Sequence, residues 1–159
     1  MKDRDTKLKK NVRYTSIRKK TASRICSTQV LYGASFVNDN IENVISSYLE
    51  NYLSSILKEL GLQKIDFQLF ETIVKGVHNN ISKIDEIISS KLSKNWSIDR
   101  LNETEKTVLR LATYELLFAK KFKKLTIINE YISIIEVFGG NKDFANGILD
   151  NISQEFDKK

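Results

Sequence analysis

Cys26 and His78 are the residues of this chain best suited to nucleophilic chemistry, because a thiol beside an imidazole base can form a catalytic dyad. Cys26, however, falls on a helical apolar pattern, where a free cysteine usually packs as a small hydrophobic side chain. His78 is the only histidine, which excludes a metal site built on several histidine ligands. We therefore expect no catalytic dyad, no metal site and no cofactor.

Glycine-rich loops and paired carboxylates offer no stronger case for catalysis. Neither GxxxxGK[ST] nor GxGxxG occurs, so the sequence contains no recognisable phosphate-binding loop. Acidic residues spread over polar helix faces usually serve solvation and ion pairing, and this description fits Glu71, Glu103, Glu105, Glu115, Glu130 and Glu136. The sequence thus favours a binding protein over an enzyme.

Length and composition fit a single intracellular domain. A chain of 159 residues is long enough to bury a core without a disulfide or metal. Its single cysteine excludes an intrachain disulfide and fits a reducing compartment. The charged N-terminus leads into no apolar signal-peptide region, and no apolar run reaches the length of a membrane span. We expect a cytoplasmic protein that is neither exported nor inserted into a membrane.

Positive charge is concentrated at the N-terminus. Residues 1–24 contain ten Lys or Arg and two Asp, a net charge of +8, so the rest of the chain carries −2 of the total of +6. For residues 1–15, a solvated tail that aids solubility explains the charge as well as the binding of a partner does. A group of four cations differs, because it lies in the first turns of a predicted helix, where the helix dipole disfavours positive charge. Bound phosphates would compensate Arg18, Lys19, Lys20 and Arg24.

Apolar residues at helical spacing continue through the first two thirds of the chain. The first predicted helix spans about 16–37 and carries Cys26 on its apolar face. A second helix follows over about 41–60, with Asn38, Asp39 and Asn40 before it and Gly61 as its stop signal. Asp66 opens a third segment that continues to about residue 92. The dipeptide Asn79–Asn80 leaves open whether this segment is one bent helix or two.

The last third is also helical. Asn102 followed by Glu105 resembles a capping box, and Thr126 is predicted to cap the next helix. Gly139–Gly140 separates that helix from a last one. No strand alternation occurs, so we predict an all-α fold of about seven helices. The domain prediction is a basic, flexible N-terminal arm over 1–15, a single helical domain over 16–156 and a tail over 157–159.

Five blocks in a fixed order resemble the NusB family of transcription antitermination factors. They are ASRICSTQVLY (Ala22–Tyr32), GVHNN (Gly76–Asn80), EKTVLRLATYEL (Glu105–Leu116), INEYISI (Ile128–Ile134) and FANGILD (Phe144–Asp150). The resemblance runs from about residue 19 to 152, and the INEY form is similar to alphaproteobacterial members. It implies two small helical bundles. It also implies a bacterial protein that, with the ribosomal protein NusE, binds the boxA element of single-stranded nascent RNA within the RNA polymerase antitermination complex, notably on ribosomal RNA operons.

The resemblance also implies an RNA-binding surface on the first helix. Family members have an arginine-rich segment at the start of this helix. The matching positions here are Lys20 to Arg24, of which only Arg24 is an arginine, and Arg18 and Lys19 precede them. Lysine keeps the attraction to phosphates but lacks the planar fork for two-point recognition. Tyr32 and Phe144 match aromatic residues on which unpaired bases stack at about 1–3 kcal/mol each, with core packing as the alternative for both. Gln29 could contact a base edge or serve only solubility.

Glu105 matches a family position that contacts NusE, although a capping role explains it as well. A polar residue on a partly buried face must find a partner or cost about 1–3 kcal/mol. On that basis we predict a structural polar network between helices, made of Arg110, Tyr114, Glu115, Asn129 and Glu130. Asn146–Gly147 is expected to permit a close approach of helices.

Two other functions compete with RNA-binding antitermination. One is a helical protein-interaction module that keeps the fold but has only non-specific RNA affinity. The other is an accessory to an enzyme, since similar domains occur ahead of ribosomal RNA cytosine methyltransferases. We do not expect the second, because 159 residues leave no room for a methyltransferase domain. Monomer and homodimer both stay open, because family members occur as either.

Overall fold

The computed structural model describes the backbone of residues 2–157 and the side chains of residues 18–157. The described part contains eight α-helices: α1 (Lys2–Ala34), α2 (Ile41–Asn51), α3 (Leu53–Leu60), α4 (Phe67–Asn79), α5 (Ile81–Lys91), α6 (Glu103–Thr113), α7 (Lys124–Val137) and α8 (Lys142–Ser153). A π-helical segment, Tyr114–Ala119, extends α6, and short 3₁₀ turns at Ile98–Arg100 and Gln154–Asp157 precede α6 and follow α8. The predicted all-α class is confirmed, since no strand occurs among these residues.

Four helices begin at a side chain that caps them. The side-chain oxygens of Asn40, Asp66, Asn102 and Asn141 each accept a hydrogen bond from the backbone N–H three residues later, at 2.8, 3.1, 2.8 and 3.1 Å. Gly61 ends α3 in the left-handed region at φ +67°, as its type predicted. The prediction for Thr126 is wrong. It lies inside the first turn of α7, which begins at Lys124.

The helix count exceeds the prediction of about seven because the segment over 41–60 is divided. Tyr52, with φ −123°, interrupts it between α2 and α3. Asn80, with φ −120°, separates α4 from α5 and so settles the alternative left open there. The backbone of α1 is helical from Lys2, earlier than the predicted start, and ends at Ala34. Met1 and the last two lysines lie outside the described residues. Because the side chains of residues 1–17 also lie outside them, the flexible arm over 1–15 and the tail over 157–159 stay predictions.

The buried side chains form two clusters, one for each helical bundle. The first lies between α1, α2, α3 and α4 and consists of Ala22, Cys26, Val30, Ile41, Ile45, Tyr48, Ile65, Phe70 and Val74. The second lies among α4 to α8 and is larger, with fully buried residues such as Ile73, Ile84, Leu109, Leu116, Ile135 and Leu149. Helix α4 contributes to both, because Phe70 faces the first cluster and Ile73 the second.

The close helix approach lies at a different glycine from the one predicted. A Cβ atom on Gly147 would have no heavy atom within 4 Å, so this glycine does not serve a close contact. At Gly76 of α4, in contrast, a Cβ would lie 2.0 Å from Cζ of Tyr114. The Tyr114 ring therefore rests directly on the α4 backbone and brings α4 and the π-helical segment together.

Candidate nucleic-acid interface

Arg24, one of the predicted RNA-binding residues, lies in the protein interior. Its side chain is only 2% exposed. The guanidinium donates from Nε to Glu115 Oε2 at 2.8 Å and from Nη2 to Glu115 Oε1 at 3.1 Å, which is the two-point geometry of a strong ion pair. A second carboxylate, Glu130 Oε2, lies 3.4 Å from Nη1. In this conformation Arg24 is not available to a bound RNA, and its observed contacts are structural.

The groups around Arg24 form a buried network that joins α1, the π-helical segment and α7. Tyr131 Oη donates to Glu115 Oε2 at 2.5 Å, and Thr21 Oγ1 donates to Glu130 Oε2 at 2.8 Å. Burial acts to lower the pKa of Arg24, but the hydrogen bond and charge of Glu115 outweigh it and raise that pKa. Burial, with the charge of Glu115, raises the pKa of Tyr131 well above its ordinary value. Arg24 thus stays charged and Tyr131 stays protonated.

The residues of the predicted polar network do not form one network but belong to separate groups. Glu115 and Glu130 belong to the cluster around Arg24, while Arg110 forms a separate two-point ion pair with Asp85 of α5 at 2.7 and 2.8 Å. Tyr114 serves as an aromatic packing residue, because its ring stacks on Phe118 at 5.8 Å and covers Gly76. Asn129 is exposed on α7 and is not joined to these groups.

The other three cations predicted to bind RNA, Arg18, Lys19 and Lys20, are partly exposed. Lys19 and Lys20 are half-buried, and we call them the lysine end of α1, because they lie toward the N-terminal end of the part of α1 whose side chains the structure describes. The ammonium of Lys20 is 6.0 Å from the centroid of the Phe122 ring. Arg18 is also half-buried, and its guanidinium donates to the backbone carbonyl of Leu60. These contacts hold Arg18 and Lys20 at defined positions.

Phe122 was not among the predicted site residues. Its ring lies below the Arg24 guanidinium at 4.9 Å and also contacts Lys20, so it joins the turn before α7 to α1. A sequence signal was present, since Phe122 interrupts a run of lysines between two helices. An apolar residue within such a charged run indicates an anchor.

Tyr32 and Gln29 lie further along α1, and Tyr32 is about 18 Å from Lys20 along the helix axis at the usual rise per residue. Tyr32 is 41% exposed and packs edge-on against Phe36 at 5.0 Å. Gln29 is half-buried, and its Oε1 accepts a hydrogen bond from the Tyr48 hydroxyl at 2.5 Å. Core packing therefore does not account for Tyr32, whereas Gln29 has a structural contact on its carbonyl side.

The remaining predicted RNA-binding and partner-binding residues lie around the N-terminus of α6. We call this surface the α6 corner. Tyr32, Thr104 and Phe138 line a cavity of about 240 Å³ there, together with Thr28 and Gln29. Glu105 Oε1 accepts a hydrogen bond from the backbone N–H of Asn141 at 3.2 Å, which fixes the turn before α8. The carboxylate is thus directed to Asn141, so only the Asn102 half of the predicted capping box is observed.

Phe144 borders the α6 corner at the start of α8. It is half-buried and packs against Trp96 with the ring centroids 6.2 Å apart. Trp96 is itself 52% exposed, so this pair presents aromatic surface to solvent. No role was predicted for Trp96. Its exposure depends on long-range packing that no local pattern indicates.

The groups considered for catalysis are not arranged as a catalytic site. Cys26 is fully buried, and burial raises the pKa of its thiol, while His78 is exposed at the end of α4. Within the described residues, no group of three or more His, Cys, Asp or Glu side chains could hold a metal ion. Over the same residues, no helix has the length and apolar character needed to cross a bilayer.

Comparison with known proteins gives a consistent result. A family model described as "NusB family" matches residues 21–154. The transcription antitermination protein NusB of Clostridium botulinum is 36% identical over 132 residues, which cover 82% of this chain and 94% of that protein. The protein of the same name from Sphingopyxis alaskensis is 30% identical over 142 residues, with 88% and 95% covered.

Solved structures share the fold. That of T. maritima NusB is 32% identical and superimposes with a TM-score of 0.68, covering 85% of this chain and 90% of that one. A crystal structure of the antitermination factors NusB and NusE in complex with dsRNA gives a TM-score of 0.68 at 23% identity, with 84% and 95% covered. At that identity the second comparison supports the fold alone.

Proposed function

This chain belongs to the NusB family, and we propose that it binds boxA RNA together with the ribosomal protein NusE as part of the RNA polymerase antitermination complex. In this role it promotes processive transcription of ribosomal RNA operons in the bacterial cytoplasm. It acts by binding and needs no catalytic group of its own. The observation that carries the proposal is the family match across residues 21–154, which includes both Tyr32 and Phe144.

The lysine end of α1 supports the RNA contact. Lys19 and Lys20 are partly exposed, and Lys20 is positioned by the Phe122 ring. Lysine ammonium groups attract phosphates as point charges and add affinity without reading the base sequence. RNA bound there would be held mainly through its backbone.

The α6 corner supports recognition of unpaired bases and of a protein partner. Single-stranded RNA is commonly held by bases that stack on aromatic rings. Tyr32, at 41% exposed, and Phe144, beside the exposed Trp96, offer such rings. Glu105 is partly exposed at the same corner and supplies a carboxylate for NusE. RNA and NusE would then meet at adjacent parts of one surface.

An experiment on the lysine end tests the proposal. The double variant K19E/K20E should bind labelled boxA RNA at least roughly tenfold more weakly than the wild type near 0.15 M salt, because two phosphate contacts become repulsive. Fluorescence anisotropy measures this, and a thermal melt by circular dichroism checks folding. K83E, a charge reversal at an exposed lysine on α5, is the control. Unchanged boxA affinity in K19E/K20E would show that RNA does not bind at the lysine end.

A protein-interaction module with only non-specific RNA affinity is the second candidate. The observation that favours it is the burial of Arg24, which leaves no exposed arginine at the positions 20–24 that match the arginine-rich segment of the family. Such a module would bind boxA and scrambled RNA equally. The K19E/K20E substitutions would then lower the affinity for both RNAs by the same factor, from the same wild-type affinity.

A further inference from the structure

The turn between the π-helical segment and α7 carries a dense cluster of positive charge. Four lysines occur within five residues, and all four are exposed: Lys120, Lys121, Lys123 and Lys124. Only Phe122 between them is half-buried. We call residues 120–124 the lysine turn. Because residues 25–159 carry a net charge of −2, the lysine turn is a local exception to a nearly neutral body.

Contacts on both sides hold the lysine turn in place. The Phe122 ring packs against Arg24 and Lys20, which belong to α1. At the start of the turn, Lys120 adopts a left-handed conformation with φ 49°, and its N–H donates to the Glu115 carbonyl at 3.0 Å. The Lys120 ammonium also lies 5.6 Å from the Phe156 ring centroid. The lysine turn is therefore fixed against α1 at the level of Lys20.

This placement makes the lysine turn continuous with the lysine end of α1. Lys121 and Lys123 are the chain neighbours of Phe122, and consecutive Cα atoms are about 3.8 Å apart. Phe122 in turn contacts Lys20. The lysine turn thus lies beside Lys20 of the lysine end.

Most of this charge is not neutralised by neighbouring carboxylates. Lys124 pairs with Asp157 at 2.6 Å, in an exposed ion pair. Glu130, the acidic residue on the α7 side, is directed to Thr21 and Arg24 and is only 20% exposed. Among the described side chains, no carboxylate lies within 4.0 Å of the ammonium of Lys121 or Lys123. The uncompensated charges of Lys121 and Lys123 therefore create a local field that attracts a polyanion.

We propose that Lys121 and Lys123 form a second phosphate-binding segment, which continues the path of the RNA backbone from Lys19 and Lys20 onto the lysine turn. This inference rests on the proposed function, since it assumes that RNA binds at the lysine end. Lysine in an exposed turn offers charge without fixed geometry, so the segment adds affinity but no base preference. Its contribution should therefore be equal for different RNA sequences and strongly dependent on salt.

Two single variants and their combination test the segment. Each of K121Q and K123Q should make the plot of log affinity against log salt shallower by about 0.7 for boxA RNA, and K121Q/K123Q by about 1.4. Near 0.15 M salt the double variant should bind roughly tenfold more weakly, and boxA and scrambled RNA should be weakened by the same factor. K83Q removes the same charge from an exposed position on α5 and should leave affinity and slope unchanged.

The outcomes separate this inference from the proposed function. If the wild type prefers boxA but K121Q/K123Q has wild-type affinity and slope, the lysine turn does not contact RNA and the inference is overturned. A loss of affinity seen only when NusE is present would assign the lysine turn to the protein partner and would also overturn it. If the wild type shows no preference for boxA, the proposed function is contradicted. The salt slopes of the wild type and the variants would still report whether Lys121 and Lys123 bind phosphate.

Discussion

Arg24 is the residue for which charge alone gave an incomplete interpretation. It was grouped with Lys19 and Lys20, because all three are cations near the start of the helix predicted from about residue 16. In the structure, the lysines are at the surface and Arg24 is enclosed by Glu115, Glu130 and Phe122. A buried ion pair is not necessarily stabilising relative to an apolar substitute, but removing one partner leaves the other charge buried and unpaired. The fold therefore depends on Arg24 and Glu115 being present together.

Replacing Arg24 should destabilise the protein more than it affects RNA directly. We expect Arg24→Met to lower the free energy of unfolding by about 3–5 kcal/mol, because the Glu115 carboxylate would be left buried without its partner. Urea unfolding followed by circular dichroism measures this change. Arg110→Met is the matched control, since it breaks a similar two-point pair that is 17% and 27% exposed, and it should cost only about 1 kcal/mol.

The opposite outcome would be equally informative. If Arg24→Met kept wild-type stability and lost RNA affinity, the guanidinium would have to leave the interior to contact RNA. The structural role assigned to Arg24 would then be contradicted.

At the scale of elements, the contact between α4 and the π-helical segment sets the distance between these two elements beside the second buried cluster. Tyr114 covers Gly76 so closely that a methyl group there would overlap the ring, at 2.0–2.5 Å from three of its carbon atoms. The flexible end of a side chain could move aside, but these atoms belong to a rigid ring that also stacks on Phe118. A side chain at position 76 therefore requires the two elements to separate.

Two glycine substitutions compare this contact with an open site. Gly76→Ala should lower the free energy of unfolding by about 1–3 kcal/mol through overpacking. Gly147→Ala, inside α8 with no heavy atom within 4 Å of the new methyl group, should raise it by about 0.5–1 kcal/mol because alanine favours the helix. Thermal unfolding of both variants checks the pair. Equal effects of the two substitutions would be incompatible with the close contact at Tyr114.

Element boundaries could be predicted where a local chemical signal exists. Asp66 and Gly61 were identified correctly, because a carboxylate that caps a helix and a glycine in a left-handed turn act through their own backbone neighbours. The break at Tyr52 has no such signal, since neither glycine nor proline is present there. Thr126 was taken for a cap from its type alone, whereas α7 begins before it without a side-chain cap.

At the scale of the whole molecule, apolar periodicity and the family resemblance together were sufficient for the all-α class and the two bundles. The candidate surfaces were only partly predictable. Tyr32 could be placed outside the apolar face of α1 from its position in the helix, and it is exposed. The lysine turn, in contrast, was not predicted, because the net charge of −2 over residues 25–159 does not indicate a local cluster of lysines. Its proximity to Lys20 follows from the contact of Phe122 with α1, which joins residues far apart in the chain.

The central claim is that this chain recognises boxA RNA together with NusE. The most direct measurement is the fluorescence anisotropy of labelled boxA RNA and of a scrambled control, each titrated with the protein alone and with equimolar NusE at physiological salt. We predict tighter binding to boxA than to the control, and a preference that increases when NusE is added. Equal binding of both RNAs that NusE does not change would contradict the claim.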